Sequence, residues 1–346
     1  MEQNILTQII ENEKIQSAQE YIKKYNKIVI TTHISPDGDA LGSSLALFNY
    51  LLQRGKNVTL IVPNSYPYFL NWIPGVERVV IFERQRDFAL KLFDNAELVF
   101  CLDYNIPKRV GIMGNALENC KAPKILIDHH LFPGDFVNVS MSYPHISSTS
   151  ELIFRFLWQM NEYENISTSI AECIYCGMMT DTGGFTYNSN YPEIFQIISL
   201  LLKKGIDKDD IYNKVYNSYS EDRFRMLGFT LSSRMKVYPE LHSALIWLSK
   251  EDQKQFNFSK GDTEGFVNYP LRIKGILFAT FIREDNELVK LSFRSKENFA
   301  CNEFATEFYN GGGHKYASGG EFYGTLEEAL TIYENGLQKY RDLLTE

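Results

Sequence analysis

The sequence predicts an α/β protein: an N-terminal parallel-sheet domain with helices on both faces, a helical linker, and a smaller C-terminal α+β domain. The first reason is length. At 346 residues the chain exceeds one ordinary domain of about 100–200 residues and fits roughly two. The second reason is texture up to residue 130. Near-continuous apolar runs alternate there with helix-patterned segments, as in strands buried on both faces of a parallel sheet. The third reason is a change of texture after residue 232, where apolar runs follow one another across short turns.

Taken in order, Lys27–His33 (KIVITTH) reads as a buried strand. Asp39–Gly55 reads as a helix closed by its glycine. Asn57–Pro63, Arg78–Phe82, Glu97–Asp103 and Lys124–His130 are further strand-like runs. Ser148 to Glu151 has capping-box spacing and opens a helix over ELIFRFLWQM. A second helix covers Ser167–Met179. From Tyr191 onward Leu, Ile, Phe and Met recur at three- and four-residue spacing, a helical linker over 191–232. Beyond it, LHSALIWLS, RIKGILFATFIRE and ELVKLSFRS read as strands. A helix over Asn298–Tyr309, a glycine-rich segment Gly311–Gly320 and a last helix from Leu326 complete the chain. The expected domains are therefore 1–190 and 233–346, joined by 191–232. No period of 20–50 residues repeats.

Composition narrows the function. Hydrophobic residues make up 44% and charged residues 23%, a globular balance that excludes a mainly disordered or collagen-like chain. No run of about 18 apolar residues occurs, so neither a transmembrane helix nor a membrane partner is expected. The start, MEQNILTQIIENEK, lacks the basic and apolar regions of a signal peptide. The five cysteines are odd in number and scattered, which suits a reducing, cytoplasmic setting. Cys173 and Cys176 have metal-like spacing but no second pair, and read as buried thiols on a helix. The net charge is −8, without the broad basic face that holds long duplex nucleic acid. An anionic ligand must therefore be gripped locally, by a metal or a few side chains. A homodimer through either domain is compatible with the sequence, which does not select an oligomeric state.

A metal constellation emerges from the strand map. His33 ends one strand, Asp103 another, and Asp128, His129 and His130 a third. Open parallel sheets bind ligands outside the carboxyl ends of their strands, so these residues converge on one crevice. Asp37 and Asp39 lie in the loop after the first of those strands, where Pro36 and Gly38 allow a tight path. Asp181 follows the second helix, beside Gly183 and Gly184. Three of the six histidines and several acids thus share one predicted rim. Carboxylates so close repel one another unless a cation joins them. Carboxylate with imidazole and no thiolate suits Mn2+ better than structural zinc. Two such ions about 3.5–4 Å apart can activate a bridging water and hold the attacking and leaving oxygens of a phosphoryl displacement.

These residues resemble the DHH family of phosphoesterases, named for the triplet found here at Asp128-His129-His130. Its four blocks occur in order: HISPDGDA at His33–Ala40, the strand ending at Asp103, the triplet, and TDTGGF at Thr180–Phe185. GGGHKYASGG resembles the signature of the associated DHHA1 domain. The likeness spans nearly the whole chain and is nearest to the short members, oligoribonucleases (nanoRNases) that also act as pAp phosphatases. It implies that His33, Asp37 and Asp103 hold one metal. Asp39, Asp103, His129 and Asp181 hold the second, with Asp103 bridging. It implies two Mn2+ ions per subunit, with Mg2+ or Co2+ as substitutes. Asp128 would orient a metal-bound imidazole, and His130 would face the scissile phosphate and assist the leaving group.

The segment GGGHKYASGG carries five glycines in ten residues. It is either a flexible turn after a helix or an anion-binding loop in which bare backbone N–H groups approach a phosphate. His314 adds an imidazole there, and Arg294 with Ser295 stands at a strand end as a second anion contact. The resemblance implies that these are substrate contacts, with Gly312 and Gly313 as backbone donors. The expected function is hydrolysis of short single-stranded RNA or a nucleoside bisphosphate in a cleft between domains. Three alternatives stay open: an exopolyphosphatase, a linear or cyclic dinucleotide phosphodiesterase, and a non-catalytic nucleotide-binding regulator. The last is disfavoured because every expected ligand position is filled.

Overall fold

The computed structural model describes residues 6–286, 288–297 and 299–345. Residues 1–5, where the start of the chain was read for export, and Asn298, at the start of an expected helix, lie outside the described residues. The chain divides into two compact units, Met1–Ser218 and Tyr219–Glu346.

In the first unit, β1 (Lys27–Thr31), β2 (Asn57–Val62), β3 (Val80–Ile81), β4 (Leu98–Leu102), β5 (Lys124–Asp128) and β6 (Val139–Ser142) form one sheet in the order β3-β2-β1-β4-β5-β6. Every pairing is parallel, with Ile30 set between Leu60 and Phe100. β4 is buried along its whole length, as a central strand covered on both faces must be. β6 was not anticipated. Its sequence, VSMS, alternates buried and half-buried residues, so half of this edge strand is serine and the apolar signal is weak.

The helices of this unit are α1 (Asn12–Lys24), α2 (Gly38–Gln53), α3 (Arg86–Asp94), α4 (Gly114–Asn119), α5 (Thr149–Gln159), α6 (Thr168–Asp181), α7 (Pro192–Lys203) and α8 (Lys208–Tyr216). One sheet face packs Val29, Ile61, Val99 and Leu126 against Ala89, Phe93, Leu117 and their neighbours. α2 is buried nearly all round, the mark of a core helix. Its glycines set how closely it meets α6. A Cβ at Gly42 would sit 2.6 Å from the Cys173 carbonyl oxygen and 2.9 Å from Gly177 Cα. α6 runs two residues further than expected and includes Asp181, because the first breakers are Gly183 and Gly184, both left-handed at φ 55 and 70. Cys173 and Cys176 are buried free thiols on this helix. On α5, Arg155 is buried and donates to Glu151 Oε1 and Glu193 Oε2, each at 2.8 Å.

In the second unit, α9 (Glu221–Ser233) and α10 (Lys250–Gln255) accompany β7 (Met235–Tyr238), β8 (Ser243–Leu248), β9 (Phe278–Glu284), β10 (Val289–Ser295), β11 (Gly312–His314) and β12 (Ala317–Phe322). The sheet order is β11-β12-β10-β9-β8-β7, antiparallel except for β8 beside β9. α11 (Cys301–Tyr309), α12 (Leu326–Lys339) and α13 (Arg341–Thr345) complete it. Phe278, Phe293, Phe304, Tyr309 and Tyr333 fill one core. Met226, Ile246, Phe266 and Phe281 fill a second on the other face. The helical stretch read as a linker is divided, with α7 and α8 in the first unit and α9 in the second. The glycine-rich segment is a β-hairpin rather than a loop, with Gly313 opposite Ser318. Among the described residues, no helix is long and apolar enough to cross a membrane.

Candidate metal centre and active site

The strand order reverses between β1 and β4, so the crevice beyond their carboxyl ends is the place for a ligand. His33 follows β1 and Asp103 follows β4. They meet there, with His33 Nε2 3.3 Å from Asp103 Oδ2. β5 is the next strand and delivers Asp128, His129 and His130 to the same rim. Asp37 caps α2, accepting the N–H groups of Asp39 and Ala40 at 3.0 Å. Its Oδ1 lies 3.8 Å from His33 Nε2. His129 Nε2 stands 3.6 Å from Asp103 Oδ1, 3.6 Å from Asp181 Oδ2 and 3.8 Å from Asp39 Oδ2.

Three groups form on this rim: His33, Asp37 and Asp103; Asp39, His129 and Asp181; and Asp103, Asp128 and His130. In each, one donor atom per residue lies within 4.8 Å of the others. Asp103 faces both His33 and His129 and so stands between the first two groups. The donor set suits a cation. His33 Nδ1 lies 2.9 Å from the Ile34 carbonyl and His129 Nδ1 3.1 Å from that of Ile146. Each Nδ1–H must donate to its carbonyl, which turns both Nε2 atoms toward the acids.

The first turn of α5 holds the acids in place. Asp39 is 1% exposed. Its oxygens accept the Thr149 and Ser150 N–H groups at 2.7 and 2.8 Å, so a helix N-terminus stabilises its charge. Thr149 Oγ1 donates to Asp103 Oδ1 at 2.8 Å. Ser148 caps this helix as its spacing implied, accepting the Glu151 N–H at 3.0 Å. Glu151 turns instead to Ser147 and Arg155. Gly177 of α6 leaves the space: a Cβ there would collide with Ser150 Oγ and lie 2.8 Å from Asp39 Oδ1. Asp103 has a left-handed backbone, φ 64, which aspartate tolerates better than most residues.

Burial and crowding drive these groups apart in proton affinity. Burial, then the charges of Asp103 and Asp181, push the Asp39 carboxyl well above its usual range. Burial would raise Asp103 too, but His33, His130 and His129 hold it below the carboxylate range. Burial would lower His129, yet Asp181, Asp103, Asp39 and Asp128 raise it to about 9. Without a cation, the acids keep protons on the imidazoles that face them.

His130 adjoins the first two groups, with its Nδ1 3.9 Å from Asp103 Oδ1. Its Nδ1 lies 2.7 Å from Asp128 Oδ1, and its Nε2 lies 3.2 Å from Arg109 Nη2. The fully buried Asp128 keeps its other oxygen, Oδ2, without a hydrogen-bond partner. Burial, the largest influence, lowers the His130 pKa against the pull of Asp128.

In the second unit, Arg294 lies on β10 and donates from Nη1 to the Phe293 carbonyl at 2.9 Å. Ser295 is buried, and its hydroxyl donates to the Phe299 carbonyl at 2.7 Å. Gly312, Gly313 and His314 form β11. Gly313 has φ 140, and a Cβ there would lie 2.8 Å from the Ala317 carbonyl oxygen. A Cβ at Gly312 would meet nothing within 4 Å.

The geometry invites comparison with known proteins. A crystal structure of an exopolyphosphatase-related protein from Bacteroides fragilis matches 99% of this chain and 100% of its own, at 53% identity and TM-score 0.94. The profile of the DHH family N-terminal domain matches residues 27–178, and that of the DHHA1 domain residues 242–339. This chain belongs to the DHH family. Within it, the bifunctional oligoribonuclease and PAP phosphatase NrnA of Thermus thermophilus is 28% identical, over 96% of this chain and 95% of its own. Its namesake from Bacillus subtilis is 24% identical over 87% and 91%. At the level of fold alone, Thermus thermophilus RecJ in complex with Mn2+ matches at TM-score 0.56 and 13% identity, over 97% of this chain and 56% of its own.

The DHH-domain residues singled out in the sequence stand together on one rim. Arg109, Thr149, Ser150 and Gly177 were not foreseen. Gly177 left a trace, an isolated glycine inside a helical pattern. Thr149 and Ser150 were hidden inside the cap they help to form. Arg109 carried no signal beyond its charge.

Proposed function

We propose that this DHH-family protein is a two-metal phosphoesterase that hydrolyses short oligoribonucleotides and pAp. One observation carries the reading: a single buried carboxylate, Asp103, faces His33 on one side and His129 on the other, each imidazole ringed by its own acids, with His130 alongside. His33, Asp37 and Asp103 would hold one ion, and Asp39, Asp103, His129 and Asp181 the other. Mn2+ suits this mixture of imidazole and carboxylate, with Mg2+ or Co2+ as substitutes. When bound, such a pair of cations supplies positive charge for phosphoryl oxygens and acidifies water.

The protein's own groups do the rest. Thr149 and the first turn of α5 fix Asp103 and Asp39, so the acids need no rearrangement during the reaction. Asp128 fixes the ring of His130, which is assigned to neither proposed ion and would stabilise or protonate the leaving oxygen. We assign chemistry to the first unit and substrate holding to the second. Arg294, Gly312, Gly313 and His314 are the proposed contacts. Ser295 serves them indirectly, by shaping the turn after β10.

The Thermus and Bacillus relatives are named for oligoribonuclease and PAP phosphatase activity, which favours nucleotide substrates. Phe132 favours them too. It lies two residues past His130, is 81% exposed and has a left-handed backbone, φ 57. An aromatic ring held outward beside the site offers a face on which a nucleobase stacks. A second reading, polyphosphate hydrolysis, rests on the Bacteroides fragilis protein being described as exopolyphosphatase-related. A substrate panel with Mn2+ separates them: labelled short RNA, pAp, polyphosphate, and linear and cyclic dinucleotides. Fast cleavage of RNAs of two to five nucleotides, with poor action on long RNA, is expected. Preference for polyphosphate would replace the substrate assignment and leave the metal site standing.

A further inference from the structure

Arg109 lies in the short 3-10 segment Pro107–Met113. That segment is pinned to the metal rim, because the Arg109 carbonyl accepts the Ile34 N–H at 2.8 Å, directly after His33. At Gly111 the backbone is left-handed, φ 54, and a Cβ would press on Ile34 Cδ1 at 3.0 Å. From this anchor the half-buried guanidinium reaches across to His130 Nε2 at 3.2 Å. Its charge is felt at both His33 and His130.

The pairing is unusual for a guanidinium. Arginine has five N–H donors in a planar fork suited to carboxylate or phosphate. Here, among the described residues, its side-chain contact is to His130 rather than to a carboxylate. It donates to the imidazole nitrogen Nε2. That contact also sets the tautomer of His130. Nε2 must accept from Arg109, so the ring proton lies on Nδ1 and is donated to Asp128. The contact holds the guanidinium fork at the metal rim, beside the imidazole assigned to the leaving group.

We propose that Arg109 is a substrate-contacting residue whose guanidinium forks onto non-bridging oxygens of the scissile phosphate. The inference deepens the phosphoesterase reading and rests on it for the identity of the phosphate. The ligand chemistry is a phosphate ester, and inorganic phosphate is its simplest probe.

The test compares wild type, Arg109→Ala and Arg109→Lys, each loaded with Mn2+. Calorimetric titration with inorganic phosphate is read beside kcat and KM on a short RNA. Bound manganese and the melting temperature are measured for all three. Arg109→Ala is expected to bind phosphate at least tenfold more weakly. Its kcat/KM should fall on the order of 100-fold, as when one fixed donor to a transition-state oxygen is lost. Metal content and melting temperature should be unchanged. Arg109→Lys should recover part of the loss, and millimolar guanidinium should partly rescue Arg109→Ala. Equal phosphate affinity in wild type and Arg109→Ala would overturn the proposal. So would a loss accompanied by missing metal or a lowered melting temperature, which would make Arg109 structural. If wild type cleaved no phosphoester at all, the proposed function would fall, while the phosphate titration would still decide the role of Arg109.

Discussion

His129 shows how a residue's proton and a metal compete for one atom. In the metal-free protein four aspartates hold its pKa at about 9, above the usual 6.5. A raised histidine pKa stabilises the fold fully below 6.5, and that contribution fades as pH rises through 9. Metal binding needs the same nitrogen deprotonated, so its gain has the opposite slope. The melting temperature of metal-free protein should therefore fall between pH 6.5 and 9. The rise produced by saturating Mn2+ should grow over the same range. Thermal melts with and without the ion check both slopes, and parallel curves would remove His129 from the ligand set. Asp103→Asn is the sharper residue-level test. It weakens the one carboxylate facing both imidazoles, so turnover should vanish on every substrate and bound manganese should drop below that of wild type. Phe132→Ala should raise KM for short RNA severalfold while sparing a phosphoester without a base, the split expected for a stacking contact.

At the scale of elements, the site depends on how closely α2, α5 and α6 approach one another. Gly177 is the tightest point, since any side chain would strike Ser150 and crowd Asp39. Gly177→Ala should destabilise the protein by about 1–3 kcal/mol, as overpacking does. It should also weaken metal binding, because Asp39 loses its seat on the α5 N-terminus. Chemical denaturation and metal titration of the same variant measure the two effects. A variant as stable as wild type with full manganese content would show that the helices tolerate the extra methyl. These elements also explain what the sequence could and could not reveal. Strands β1, β2, β4 and β5 are buried on both faces and announce themselves as apolar runs, so the residues at their ends could be placed on one rim. β6 is half serine and stayed hidden. The β11–β12 hairpin was masked because glycine-rich sequence signals a turn, whereas here the glycines let strands pack tightly. Thr149, Ser150 and Arg109 act through contacts 21 to 111 residues away along the chain, which no local pattern encodes.

For the molecule as a whole, charge sets the behaviour toward nucleic acid. A chain of net charge −8 offers a long polyanion no overall attraction, and on the proposed reading the substrate is gripped by the cations and a few side chains such as Arg109 and Arg294. Counter-ion release measures how many phosphates a protein neutralises, with a slope of about −0.7 per contact for single strands. Two guanidinium contacts would give a slope near about −1.4 in a plot of log kcat/KM against log salt for short RNA. A nuclease tracking a long strand along a basic groove would give several times that. Arg294→Ala should make the slope shallower by about 0.7 and raise KM most for substrates bearing a distal phosphate, with kcat nearly unchanged. Kinetics at four or five salt concentrations, for wild type and this variant, read out both numbers. A steep wild-type slope, or one that Arg294→Ala leaves untouched, would mean that the substrate is held along a surface other than the one assigned to the second unit.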